Sequence, residues 1–148
     1  MTLAHHFSPV LGYFLTFHPY GTWLPGDARG WHRHGDQGPH RPPQPRLEAW
    51  CREQMEFAPL YFDADAQSLV TRSMEETCAR REWVIHALTV QPAHVHIVVT
   101  APEDPGAVTG RLKYWATRGL RTNGLPPERP VWAEHGSTRW LFTARRFA

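Results

Sequence analysis

Two histidines separated by one residue, His94 and His96, are the side chains in this sequence best suited to chemistry. They open an apolar run that follows the turn-forming segment 91–93. Side chains alternate between the faces of a strand, so both imidazoles would point to one side, ~7 Å apart at a rise of ~3.3 Å per residue. The apolar residues that alternate with them would point into a core. This spacing can hold two imidazoles at one metal ion from a rigid element.

Two imidazoles alone are a weak signal, because hydrogen-bonded or half-exposed strand histidines have the same pattern. A catalytic divalent ion needs at least a third protein ligand and positions open to substrate. His18 and His86 are candidates because they lie in neighbouring predicted strands. Three more histidines lie in a loop without cysteine, a pattern more typical of solvated side chains than of a zinc site. These loop residues are His32, His34 and His40.

Other catalytic classes lack their motifs here. Histidine-triad nucleotide hydrolases require a third histidine at position 98, which is occupied by Val98. The sequence contains neither the Gly-x-Ser-x-Gly segment of serine hydrolases nor a glycine-rich phosphate-binding motif. The motifs therefore favour metal chemistry at the histidine pair over these alternatives.

The composition predicts one globular domain, since 148 residues are enough to build a hydrophobic core. No run of ~18 apolar residues predicts a membrane span, and the N-terminus lacks the pattern of a secretory signal. Cys51 and Cys78 stand alone, which indicates reduced thiols in a cytoplasmic protein.

Charge is distributed unevenly, although the formal net charge is only +2. Residues 47–82 carry eight acids and four bases, whereas residues 103–148 carry eight bases and four acids. Lys113 is the only lysine. Arginine suits bidentate contacts to phosphate and stacks on bases, although a GC-rich genome would produce the same bias.

Hydrophobic periodicity predicts the element order strand, helix, strand, strand, helix, strand. Asp63 or Asp65 can cap the first of these helices, and Asp104 followed by Pro105 begins the second. In the second helix we expect Val108, Leu112, Trp115 and Gly119 to share one stripe. The predicted strands cover 10–18, 82–91, 94–100 and 130–142, the helices cover 63–80 and 104–123, and a short extra helix covers 47–57.

This order is that of an α+β, ferredoxin-like split βαβ fold with a central antiparallel sheet. The continuous apolar character of strands 82–91 and 94–100 suggests that both belong to a central, largely covered sheet. The histidine pair would lie on a central strand, on the face away from at least part of the core. Residues 19–46 hold six prolines, five glycines and three histidines, and predict a long loop. Its first half has aromatic and turn residues suited to a defined shape, and its second half is expected to be mobile.

Four segments together resemble one family. Residues 20–30 (YGTWLPGDARG) look like the first signature of bacterial single-tyrosine HUH transposases, the group that includes the REP-associated tyrosine transposases. Residues 90–99 (VQPAHVHIVV) resemble their HUH strand, and residues 111–120 (RLKYWATRGL) resemble the basic helix that follows it. Residues 131–141 (VWAEHGSTRWL) are similar to their late Gly-Ser-Thr-Arg-Trp segment. The short HUH motif is nonspecific, but four segments in this order are specific.

The resemblance implies the same ferredoxin-like fold, with an HUH strand in the sheet, and a homodimer that binds single-stranded DNA hairpins. It also implies Mg²⁺- or Mn²⁺-dependent strand transfer, in which a tyrosine attacks a phosphate and forms a phosphotyrosine. By position, the metal ligands would be His94 and His96. The residues expected to contact DNA are Tyr20, Trp23, Arg29, Arg111, Lys113, Arg118 and Arg121.

The sequence departs from the family at its end. The family's nucleophilic tyrosine lies on a helix after the last strand, with a polar third metal ligand, often Gln, one turn later. Here no tyrosine follows Tyr114 and no glutamine follows Gln91. We therefore expect the nucleophile-bearing helix to be missing, as a frameshift or premature stop would cause. Tyr114 would be a replacement nucleophile only from an unexpected place, the earlier basic helix.

Three functional hypotheses follow from these observations. The first is a transposase-family protein that is catalytically defective as written. The second is a truncated or domesticated protein that binds hairpin DNA without cutting it. The third is an unrelated metal-binding domain with a ferredoxin-like fold.

Overall fold

The computed structural model describes residues 11–33, 36 and 38–141. Within them, each predicted helix and strand has a counterpart at or near its expected place. The four strands are β1 (Gly12–Pro19), β2 (Val84–Val90), β3 (Val95–Thr100) and β4 (Trp132–Leu141). The three helices are α1 (Pro45–Gln54), α2 (Ala64–Arg81) and α3 (Pro105–Thr122).

The strands form one antiparallel sheet in the order β2-β3-β1-β4. Helix α2 crosses from β1 to β2, and α3 crosses from β3 to β4, which is the split βαβ arrangement. The predicted ferredoxin-like fold is therefore confirmed, and β3, the strand that carries His96, is central. In register, Thr16 of β1 lies opposite His96 of β3 and opposite Ser137 of β4.

Alternate residues of the two central strands form the core on one face of the sheet. Leu15 and Phe17 of β1 are 1% exposed, and the three apolar residues of β3 between and after the histidines are fully buried. The helices cover this face through one stripe each. The stripe of α2 consists of Val70, Met74, Thr77 and Cys78, and that of α3 consists of Val108, Leu112, Ala116 and Leu120.

The predicted stripe of α3 is wrong at Trp115. Trp115 is 37% exposed, and the core positions are taken by Ala116 and Leu120 instead. The stripe proceeds in steps of four residues from Val108, so residue 115 falls on the flank of the buried face. Gly119, which was also expected on the stripe, lies beside α2, where an added Cβ would come within 2.9 Å of Leu69 Cδ2.

The expectation of a largely covered β2 is also wrong. Its burial alternates between half-buried and exposed residues, and Val84 is 53% exposed. The sheet order explains this, because β2 is an edge strand and the helices cover only one face of the sheet. Its apolar character comes from Ile85, Leu88 and Val90, which pack against the core from the edge.

The helix starts follow the sequence signals. Asp63 caps α2 by accepting a hydrogen bond from the Ala66 amide, at 2.8 Å. Asp104 caps α3 by accepting from the amides of Gly106 and Ala107, and Pro105 occupies the first turn. None of the helices described is long and apolar enough to cross a membrane.

The long loop is shorter at its end than predicted, because α1 begins at Pro45. Its described part contains no regular strand, but a bridge joins Trp31 to Arg41 and indole Nε1 of Trp31 donates to the Pro42 carbonyl, at 2.8 Å. Trp31 is 3% exposed. The described part of the loop's second half therefore folds back on a buried tryptophan.

Candidate metal and nucleic-acid site

The two histidines lie together on the sheet face that the helices leave open. His96 belongs to β3, and His94 comes just before its first residue. Their ring centroids are 4.7 Å apart, with the ring planes inclined by 59°. Both side chains are half-buried. The alternation predicted from the sequence is confirmed, since the core residues of β3 face the helices.

A hydrogen bond between Thr16 Oγ1 and His96 Nδ1, at 3.0 Å, fixes the orientation of the second imidazole. Because Nδ1 is engaged, Nε2 is the nitrogen left to bind a ligand. Burial lowers the pKa of His96 below its ordinary value, and the neighbouring His94 lowers it further. The ring is therefore neutral at physiological pH, which is the form that coordinates metal ions.

His18 is the third imidazole at this place. Its ring centroid is 6.3 Å from that of His94, and its Nδ1 donates to the Ala93 carbonyl at 3.2 Å. Since Nδ1 carries the proton, Nε2 has the free lone pair. Burial lowers the pKa of His18, against the opposing effect of its hydrogen bond to Ala93. A register shift in β1 between Phe17 and Pro19 places this side chain at the end of the strand.

The long loop forms a wall over the histidines, enclosing a cavity of about 540 Å³. Trp23 stands in the middle of this wall, with its ring 4.9 Å from that of His18 and 6.2 Å from that of His40. From β4, the backbone around Gly136 and Ser137 completes the lining. The sequence did not predict this wall. The loop residues that form it are about seventy positions from the histidines in the chain and share no local pattern with them.

Arg29 and Asp27 hold the wall in shape. The guanidinium donates to both carboxylate oxygens, at 2.8 and 2.6 Å, and to the Thr22 carbonyl at 2.8 Å. Its Cζ lies 4.0 Å from the ring centroid of Trp23, a cation–π contact. The hydrogen bonds from Arg29 lower the pKa of Asp27, although burial opposes them. Trp23 and Arg29, two of the residues expected to contact DNA, are thus in contact with each other.

The remaining expected DNA contacts lie elsewhere. Tyr20 is half-buried and does not line the cavity. The other four are on α3, across the sheet from the histidines. Of these, Lys113 is half-buried against the rings of Phe17 and Trp132, and burial lowers its pKa. Exposed guanidinium groups belong to Arg111, Arg118 and Arg121.

Tyr114 is also on α3, 54% exposed, with its ring against that of Trp115 at 5.1 Å. The sheet separates it from the histidine pair. Among the described residues, no tyrosine lines the cavity. The segment after Leu141, on which the expectation of a missing helix rests, lies outside the described residues.

The residues present fit one part of a metal site. Two imidazoles on one rigid strand, one of them oriented by a threonine, could form a platform for a divalent ion. Within the described part of the chain, no group of three or more His, Cys, Asp or Glu side chains is close enough to hold an ion. His86 is not a candidate third ligand by position, because it lies further along the sheet with Nε2 bonded to Thr100 Oγ1, at 2.8 Å. The described residues could therefore supply two ligands of such an ion.

Comparisons with known proteins give structural relatives only. No protein-family model and no curated protein matches the sequence. A protein from Deinococcus radiodurans R1 that is provisionally designated a transposase has a similar structure, with a TM-score of 0.58 and 11% identity over 95% of this chain and 85% of that one. A REP-associated tyrosine transposase bound to a REP hairpin has a TM-score of 0.48 and 14% identity, over 95% of this chain and 62% of that one. The likeness to the first protein shows a shared fold.

Proposed function

We propose that this protein binds single-stranded hairpin DNA and that His94 and His96 hold Mg²⁺ or Mn²⁺ at a phosphate of that DNA, as in a transposase. The single observation that carries the proposal is the geometry of the histidine pair. Two half-buried imidazoles share one face of a central strand and open into a cavity large enough to admit part of a DNA strand. The fold shared with the Deinococcus protein and the four sequence segments support the same reading.

Each side chain of the cavity has a role in this proposal. Thr16 and the Ala93 carbonyl orient His96 and His18, so little rearrangement is needed when a ligand binds. Trp23, held by its cation–π contact with Arg29, supplies an aromatic wall for an unpaired base. A divalent ion held by the two histidines would stabilise negative charge on a phosphate oxygen.

A second candidate is a protein that grips hairpin DNA without cutting it. One observation favours it: the cavity contains no tyrosine from the described residues, and Tyr114 lies across the sheet. Strand cleavage of the transposase type needs such a nucleophile beside the metal platform. We propose a homodimer for either candidate, and sedimentation of the purified protein at several concentrations would test that assembly.

Incubation of the protein with a labelled DNA hairpin that carries a single-stranded flank, in the presence of Mn²⁺, separates the two candidates. Cleavage chemistry predicts a covalent protein–DNA adduct on a denaturing gel, lost in His94→Ala and in His96→Ala. The matched control is His86→Ala, which removes a histidine outside the cavity and should leave the adduct unchanged. A salt-sensitive gel shift without an adduct would favour the binding protein. Equal binding of the hairpin and of mixed-sequence duplex DNA would reject both.

A further inference from the structure

A second cavity lies on the opposite side of the molecule, in the groove between α2 and α3. Its volume is about 460 Å³. The helices come close at Gly119, beside Leu69. Because α2 and α3 cover the core face of the sheet, this groove and the histidine cavity are on opposite faces.

Four arginines line the groove. Arg72, Arg80 and Arg81 come from α2, and Arg118 comes from α3. All four are exposed, and none forms an ion pair with a carboxylate of the described residues. Glu76 is the one acidic residue in the lining. The groove therefore concentrates uncompensated positive charge, although α2 belongs to the acidic part of the chain.

An indole ring stands at the wall of the same groove. Trp115 is partly exposed, and Arg118 Cζ lies 5.4 Å from its ring centroid. Tyr114 packs edge-on against it and is more exposed still. A large aromatic ring held at the surface next to unpaired guanidinium groups is the combination that binds single-stranded nucleic acid, since phosphates pair with arginine and bases stack on the ring.

We propose that the groove between α2 and α3 is a second DNA-binding site, which holds a single-stranded segment with its phosphates on Arg72, Arg80, Arg81 and Arg118 and a base on Trp115. The proposal rests on the proposed function in taking DNA as the partner, but it needs neither the metal nor the histidines. The arginines of α2 give the site a wall that the basic helix alone does not have. A DNA molecule that reaches both faces of the sheet would be bound at two places, the histidine cavity and the groove.

The test measures binding of an end-labelled oligothymidylate to the full chain by fluorescence anisotropy, in EDTA, across a series of salt concentrations. The double variant Arg72→Gln/Arg80→Gln should bind at least ~10-fold more weakly. Its slope of log affinity against log salt should fall by about 1.4, at ~0.7 per phosphate contact for single strands. The matched control is Arg46→Gln/Arg52→Gln, which removes the same charge from α1 and should change affinity by less than about twofold. Equal losses in the two double variants would overturn the proposal.

Two further variants test the contacts themselves. Trp115→Ala should weaken binding about tenfold, and Trp115→Phe should recover most of it, because a smaller ring still stacks. Arg72→Lys/Arg80→Lys keeps the charge and should keep the salt slope. If Trp115→Ala binds like the parent protein, no base stacks there and the proposal is wrong.

His94→Ala/His96→Ala separates this proposal from the proposed function. The variant should retain oligothymidylate binding in EDTA, whatever happens to the Mn²⁺-dependent reaction of the hairpin. Loss of all binding in this variant would move the site to the histidine cavity and overturn the groove. A further outcome is that the anisotropy of the oligothymidylate stays constant as protein is added, while the protein forms a concentration-dependent oligomer that Arg72→Gln/Arg80→Gln abolishes. That result would show that a second copy of the chain fills the groove instead of DNA.

Discussion

At the scale of single residues, the candidate site depends on side chains that touch the imidazoles rather than on the imidazoles alone. His96 is held through Nδ1 by Thr16, and His18 is held through Nδ1 by a backbone carbonyl. Groups of this kind orient a ligand before the ion arrives, and their loss usually weakens metal binding ~10- to 100-fold. Neither contact was predicted from the sequence, because a hydrogen bond across the sheet leaves no mark in a local pattern.

Thr16→Val tests this positioning role. Valine keeps the shape and the β propensity of threonine but cannot bond to Nδ1, so Mn²⁺ affinity should fall about tenfold or more while the fold is retained. Isothermal titration with Mn²⁺ measures the change. Thr89→Val is the matched control, since Thr89 faces His96 from β2 without a described bond to it. An equal change in both variants would assign the effect to the strand surface and not to the hydrogen bond.

Cys78 gives a second prediction at this scale. Burial raises the pKa of its thiol from 9.0 to about 11, whereas Cys51 is only partly buried. A maleimide at pH 8 should therefore label the folded protein at Cys51 alone, and Cys51→Ser should be labelled only after unfolding. Since the folded pKa is raised, the contribution of Cys78 to stability is complete below pH 9 and should decline as pH rises towards 11. Rapid labelling of folded Cys51→Ser at pH 8 would contradict the burial.

At the scale of elements, the signals of the sequence divide into those that are local and those that are not. Strand alternation and helix caps are local, so Val95, Asp63 and Asp104 were placed correctly. The position of Trp115 was wrong, because the buried stripe of α3 advances by four residues at each step. The loop wall could not be predicted from the sequence, because no periodic pattern connects Trp23 with His94 across the fold.

The Asp27–Arg29 pair should stabilise the loop wall. Asp27 is 7% exposed and accepts several bonds, so Asp27→Asn should lower the free energy of unfolding by ~1.5–3 kcal/mol. The pKa of Asp27 is lowered in the fold, so its contribution is present above the unfolded pKa near 3.8 and is lost as pH falls through the folded value. Urea titrations at pH 7 and pH 3 measure both effects. Asp36→Asn is the control; it breaks the more exposed pair with Arg41 and should cost less. A larger loss from Asp36→Asn would contradict this account.

Two glycines should respond oppositely to alanine. A Cβ at Gly136 would clash with the Thr16 carbonyl oxygen, so Gly136→Ala must push β4 away from β1 beside the histidine cavity. Gly110 has nothing within 4 Å of its Cβ position in the middle of α3. Gly110→Ala should therefore raise stability by ~0.5–1 kcal/mol, whereas Gly136→Ala should lower it. The melting temperatures of the two variants test both predictions. An unchanged melting temperature for Gly136→Ala would show that β4 can shift without loss of stability.

At the scale of the whole molecule, the two proposed binding surfaces are separated by one sheet. The element order and the ferredoxin-like topology followed from the sequence, because a short turn and two crossover helices leave few arrangements. The basic groove did not, because its arginines come from two helices that are far apart in the chain, one in its acidic part and one in its basic part. Only packing brings Arg80 and Arg118 to one surface.

The sheet order predicts how local stability varies across the molecule. The central strands β1 and β3 are bonded on both sides, whereas β2 and β4 are each bonded on one. Amide hydrogen exchange should therefore be slowest for Leu15 and Ile97 and faster by more than about tenfold for the outward-facing amides of β4. Mass spectrometry of peptic fragments, or two-dimensional spectra of the exchanging protein, would measure it. Slowest exchange in β4 would indicate that this edge is covered, as by a second copy.

The alternation along β1 and β3 has a consequence for how such a protein changes over generations. Every second residue of these strands, such as Leu15 or Ile97, secures the fold, while the residues between them, such as Thr16 or His96, face the cavity. Substitutions in one set leave the other almost undisturbed. The residues that face the cavity can therefore change during evolution while the fold is kept. A protein of this kind can stay well folded after its reaction is lost.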